Sequence, residues 1–155
     1  MASGNGVRLG DMATLPIPIC SPLVRTDFSS EEAWLRLTEE ALAEYDSGFG
    51  DVFQADVEPI SDPAFSGATW QVVRAAVPAD DEGASVMFIA DATTFASPDH
   101  PILAVDLLDD PANTPFRCIP PELWSVTANI NIANMDWHDF TDAADSDGVF
   151  RGFPE

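Results

Sequence analysis

The chain has 155 residues, 46% of them apolar, and carries a formal net charge of −21 from 27 acidic side chains against six arginines and no lysine. That length fits one domain, which buries most of its apolar surface without a disulfide or metal staple. The acidic excess disfavours bare nucleic acid and anionic lipid as partners, and the missing lysine excludes Schiff-base chemistry, pyridoxal attachment and a phosphate-loop lysine.

Residues 1–22 hold six of the punctuating residues, Gly4, Gly6, Gly10, Pro16, Pro18 and Pro22, and little to pack. They read as a flexible N-terminal tail ending in an extended segment, Leu15–Ile19. Residues 23–155 read as a single acidic globular domain. Leu23–Thr26 is a first short strand. A helix then starts at Asp27 or Ser29, since Ser29 and Glu32 have capping-box spacing. Trp34, Leu37, Ala41 and Tyr45 share its apolar face, and Ser47-Gly48 ends it. A strand follows within Phe53–Ile60. Thr69 caps a short helix over Trp70–Val77, stopped by Pro78. Ser85–Ala90 is a continuous apolar run of strand length and reads as the central strand. Ile102–Leu108 and Phe116–Ile119 are two further strands. Pro120 and Pro121 open a helix carrying Leu123, Trp124 and Val126. Asp136 caps a last helix, Trp137–Ala144, with Asp139 in its first turn. Val149–Phe153 is a terminal extended segment.

The first half alternates strand and helix, whereas the connections between the Ser85–Ile119 strands are too short for crossover helices. The expected fold is therefore α/β or α+β: one domain, with a mixed sheet packed by about four short helices. Cys20 and Cys118 lie far apart, which suggests neither a zinc site nor a disulfide framework. No run of 18 apolar residues spans a membrane, and the N-terminus lacks a signal-peptide pattern, so the expected location is cytoplasmic.

Several strings together resemble one family. They are Val24-Arg25-Thr26-Asp27-Phe28, Pro121-Glu122-Leu123-Trp124, Ile132-Ala133-Asn134-Met135-Asp136-Trp137 and Asp147-Gly148-Val149-Phe150-Arg151-Gly152-Phe153. The chain is similar over about residues 23–153 to small acidic bacterial and fungal domains of unknown function. The resemblance supports the domain boundaries and implies no activity.

The candidate site residues fall into three groups. Asp27 and Asp91 each follow an apolar strand, where open α/β sheets place ligand-binding carboxylates; turn and cap roles explain them equally. Asp106 fits that cluster poorly, because its strand runs antiparallel to the previous one. Arg25 and Arg117 lie in strands, where each needs an ion-pair partner or binds an anion. The third group is Trp124, Asn134, Asp136 and Trp137. Asn129, Asn131 and Asn134 are poor interior helix residues. They close a turn between helices, or Asn134 and Asp136 flank an exposed Trp137 on a binding surface.

The C-terminal aspartates do not make a calcium loop. With Gly148 as its sixth position, the first and twelfth fall on Ala143 and Pro154, which cannot ligate. His100 and His138 have no serine or cysteine placed beside them by any motif. No catalytic residue, metal or cofactor is expected. The charge and the lack of a catalytic motif point to a non-enzymatic interaction protein, an inhibitor or immunity-type binder of a basic protein. The alternative is a small enzyme or ligand-binding domain using Asp27, Asp91 or the Asn134–Trp137 segment.

Overall fold

Val86–Ala90 is a run of five buried residues, and a strand buried on both faces belongs inside a sheet that is covered on both sides. That is where it lies in the computed structural model of the protein, which describes Leu15 and residues 20–46, 48–78 and 83–153. The strands are β1 (Ser21–Arg25), β2 (Tyr45–Asp46), β3 (Val52–Phe53), β4 (Val57–Ile60), β5 (Val86–Ala90), β6 (Ile102–Asp106), β7 (Phe116–Cys118) and β8 (Val149–Phe150). Six of them form one mixed sheet in the order β4-β1-β5-β6-β7-β8, while β2 and β3 make a separate hairpin. β1 runs parallel to β4 and β5, β6 is antiparallel to β5 and β7, and β8 is parallel to β7. The helices are α1 (Glu31–Leu42), α2 (Trp70–Ala75), α3 (Ala92–Ala96), α4 (Leu123–Ile130) and α5 (Trp137–Ala143).

Alternation along the strands sorts the side chains into two cores. Leu23, Phe88 and Ala104 face α1, α4 and α5, packing with Trp34, Leu37, Leu123, Val126 and Phe140. Their neighbours Val24, Met87, Ile89 and Val105 face the other way, toward Phe65 and Val73 of α2. The result is a three-layer α+β domain. The end of the first core is aromatic: Phe140 stacks 6.0 Å from Phe116 and meets Phe150 edge-on at 5.1 Å. Cys118 is buried in the same core, and both cysteines are free thiols.

The caps explain most boundaries. Ser30, one residue past the expected Ser29, accepts the Ala33 N–H at 3.1 Å, so α1 begins at Glu31 with two glutamates on its positive end. Thr69 caps α2 as its spacing predicts. Gly148, at φ 81°, donates to the Asp145 carbonyl and turns the chain into β8.

Three expectations change. β1 starts at Ser21, so Ser21 and Pro22 belong to the sheet rather than to a tail. Ser21 is fully buried, donates to the Asp56 carbonyl and accepts from the Asn131 amide. Leu15 is also buried, and its N–H bonds to the Ala76 carbonyl. The rest of the expected tail, residues 1–14 and 16–19, lies outside the described residues. A fifth helix, α3, follows β5 because Asp91 and Thr94 cap each other reciprocally. α1 ends at Leu42, so Tyr45 lies on strand β2 of the β2–β3 hairpin rather than on the helix's apolar face.

Candidate functional site

The sheet order creates a crevice. After β1 the chain passes to β4 on one side, and after β5 it passes to β6 on the other. The carboxyl ends of these two parallel neighbours are a topological switch point, where open sheets bind ligands. A cleft of about 600 Å³ lies there. The turn after β1 supplies Thr26, Asp27 and Ser29, the turn after β5 supplies Asp91 and Thr93, and the loop after β4 supplies Ser66 and Gly67. The walls are tied together by backbone. Thr26 N–H donates to the Ala90 carbonyl at 3.0 Å, and Gly67 N–H donates to the Thr26 carbonyl at 2.8 Å.

The sequence-predicted pair Asp27 and Asp91 therefore does meet in one hollow, with different duties. Asp91 is held bidentately by Arg117 at 2.9 and 2.8 Å, and its Oδ1 also accepts the Thr94 N–H. Burial alone raises its pKa, but the bonds from Arg117 and Thr94 outweigh that and hold the carboxyl below its ordinary value. The Asp27 carboxylate accepts only the Ser29 N–H, at 2.9 Å, and has no cationic partner among the described residues. It is the one uncompensated carboxylate among the described cleft walls. Hydroxyls and one such carboxylate suit a cationic or hydroxylated ligand. Asp106 lies at the opposite end of the sheet, opposite Val86, with its carboxylate bonded to the Leu108 and Asp110 N–H groups.

Arg25 and Arg117 are ion-pair residues. Arg25 is 2% exposed. It donates to Glu31, Ser61 and the carbonyls of Asp27 and Ser30, and its guanidinium lies 4.3 Å from the Phe28 ring centroid. It ties β1 to the start of α1.

The Trp124–Trp137 segment separates. Trp137 is 4% exposed, donates its indole N–H to the Thr114 carbonyl at 2.7 Å and packs edge-on against Phe116. Of the two readings of this segment, the one with an exposed Trp137 on a binding surface is therefore corrected: its ring closes the aromatic end of the core. Asn134 is exposed and bonds to Asn129, whose own amide bonds back to the Ser125 carbonyl. Asn131 bridges Ser85 and Ser21. Asn129 and Asn134 close the turn between α4 and α5, and Asn131 ties that turn to the sheet. Asp136 precedes α5, and its N–H bonds to Asp139. Trp124 differs: it is half-buried and stacks 4.2 Å from Phe53 of the hairpin.

The C-terminal aspartates are organised by a residue that sequence reasoning passed over. Arg151 contacts Asp99, Asp145 and Asp147 at 2.9, 2.7 and 2.9 Å. Its bonds hold Asp147 below the ordinary carboxyl value. The i, i+4 spacing of Asp147 and Arg151 was the available signal. Among the described residues no three His, Cys, Asp or Glu side chains are grouped to hold a metal ion. His100 bonds to Glu40 at 3.0 Å, on α1, away from the cleft walls. No described helix is long and apolar enough to cross a membrane.

Among known proteins, the profile of a family described as "Domain of unknown function (DUF6924)" matches residues 20–153. No curated protein matches the chain.

Proposed function

We propose, on the premise that the chain belongs to the family DUF6924, that it is a non-enzymatic interaction protein whose acidic surface covers a basic protein partner, in the manner of an inhibitor or immunity-type binder. One observation carries this reading. Every described arginine is already engaged internally: Arg25 with Glu31, Arg36 with Glu32, Arg74 with Asp109, Arg117 with Asp91 and Arg151 with its three aspartates. The acidic surplus is left facing outward without counter-charge. Glu39, Glu44, Asp46, Asp56, Glu58 and Asp142 are all exposed, and none has a cationic partner among the described residues. A surface of one sign accelerates encounter with the opposite sign and repels its own.

The test is calorimetric titration of the full chain with a synthetic Arg/Gly-alternating peptide and with a DNA duplex, at low and at physiological salt. The peptide is expected to bind and to weaken steeply as salt rises, while the duplex does not bind. Tight duplex binding at physiological salt, or no peptide binding even at low salt, overturns the reading.

A second reading, small-ligand binding in the switch-point cleft, is favoured by the meeting of Asp27 and Asp91 in one hollow of ligand size. The substitution Asp27→Asn would remove the free carboxylate from such a site.

A further inference from the structure

The hairpin and the start of α4 enclose a second hollow, of about 460 Å³, lined by Tyr45, Phe49, Phe53 and Trp124 together with Asp46 and Glu122. Its chemistry differs from that of the switch-point cleft. Phe53 and Trp124 lie parallel, 4.2 Å apart and 10° from coplanar, so the indole is fixed as one wall. Phe49, at the hairpin tip, is 91% exposed, and Val52 beside it is 57% exposed. The two charged residues in the lining are both acidic. Asp46 accepts the Gly48 N–H with one oxygen. Glu122 is half-buried; its carboxylate packs beside Gly152 and has no hydrogen-bond or ion-pair partner among the described residues.

An unpaired carboxylate partly withdrawn from water is costly unless something occupies it. Burial holds the Glu122 carboxyl above its ordinary value, as expected of an acid without a counter-cation. Its charge also reaches Tyr45, whose hydroxyl is held above its ordinary value by burial, by Glu40 and by Glu122. Aromatic faces and a desolvated carboxylate favour the same guest. The π-faces attract a cation, the carboxylate supplies charge-assisted hydrogen bonds, and a planar guanidinium can use both at once.

We infer that this hollow is the anchoring point for a partner's arginine side chain, seated against Trp124 with its guanidinium on Glu122. The inference rests on the reading of the protein as a binder of basic partners and locates the contact. It fits the usual composition of interface anchors, in which tryptophan, tyrosine and arginine carry much of the binding. Sequence gives little sign of it. Tyr45 and Phe53 lie on hairpin strands of two residues each, too short to show periodicity, and they meet Trp124 of α4 from far along the chain.

The experiment is a titration of the ¹⁵N-labelled full chain with N-acetyl-arginine amide at physiological salt, following the indole N–H signals of Trp34, Trp70, Trp124 and Trp137. The Trp124 signal is expected to move saturably, with the other three nearly still. Glu122→Gln should weaken binding roughly fivefold or more, the scale of one charge-assisted contact, with unchanged thermal unfolding as the check on folding. Phe49→Ala, at the exposed tip, should weaken it without touching the carboxylate. The Arg/Gly peptide is run on the same variants. Peptide binding that is indifferent to both substitutions overturns the anchor and leaves the broader reading standing. No binding of the peptide to the unsubstituted chain overturns both. A Trp124 signal that stays still as the amide is raised overturns the anchor directly.

Discussion

The switch-point cleft and the hairpin groove are both acidic, and Asp91 and Glu122 differ in what they already hold. In the switch-point cleft, Asp91 carries Arg117 on both oxygens and caps α3 besides. In the hairpin groove, Glu122 is half-buried with nothing on its oxygens among the described residues. Their titration shifts follow, downward for Asp91 and upward for Glu122. In a chain of net charge −21 most acids look alike in sequence. The structure distinguishes a carboxylate engaged in holding the fold from one still open to a visitor.

The same contrast separates the two tryptophans of one segment, and it predicts the largest effect. Trp137 fills the aromatic end of the core and satisfies the Thr114 carbonyl, so Trp137→Ala should cost about 3–5 kcal/mol in urea unfolding. Trp124 is half-buried, lines the groove and stacks on a two-residue strand, so Trp124→Ala should cost about 1–2 kcal/mol. Equal losses would show that the hairpin groove is as much a part of the core as the aromatic end.

The next effect concerns the cleft. Arg117→Ala leaves a half-buried carboxylate without its cation and also removes a donor from the Pro101 carbonyl. The expected loss is about 2–3 kcal/mol, the scale of hydrogen bonds to a charged group inside a protein. The measurement is again urea unfolding, read together with the acid midpoint, which should move toward neutral pH. A loss below about 0.5 kcal/mol, typical of an ordinary surface change, would mean that Asp91 is solvated well enough to do without Arg117. Asp91 would then be as open as Glu122.

How much of this was legible depended on the length scale of each signal. The central strand at Val86–Ala90, the Thr69 cap and the Asp136–Asp139 start of α5 were readable, because each is a local pattern of apolar run or cap spacing. The mixed sheet and the antiparallel turn at Asp106 followed from connection lengths. Asp27 and Asp91 were placed at strand ends because each directly follows an apolar strand. What sequence left out is non-local. Helix α3 has only five residues, and its reciprocal Asp91–Thr94 cap is masked by the apolar strand before it. The start of β1 at Ser21 depends on Asn131, 110 residues away. Trp137 and Trp124 could not be ranked by exposure, because the residues that cover one and leave the other half-open come from Phe116 and Phe53. Arg151 showed a helical spacing to Asp147 in a segment that is not a helix, so its three-aspartate cluster stayed hidden.

The smallest effect is the sharpest test of the comparison, because it is a difference of sign. A group lowers stability with rising pH wherever the folded chain binds more protons than the unfolded one, and raises it wherever the unfolded chain binds more. Asp91 has a folded pKa below its unfolded value. Its contribution is therefore full above the ordinary aspartate range and is lost as pH falls through the lower folded value. Glu122 has a folded pKa above its unfolded value. It binds a proton in the folded chain first, so its ionisation costs stability above that raised value, and acidification through it returns the loss. Glu122→Gln removes this term with a side chain of the same shape. At neutral pH the variant should be equal to the unsubstituted protein or more stable by no more than about 0.5 kcal/mol. The advantage should shrink as pH falls into the ordinary glutamate range, while Asp91→Asn moves the other way, least stable relative to the unsubstituted protein at neutral pH. Paired thermal melts from neutral to acid pH read both slopes. A Glu122→Gln protein that is less stable at neutral pH would mean that the carboxylate already holds a partner within the fold, and the groove would lose the open charge that distinguishes it from the cleft.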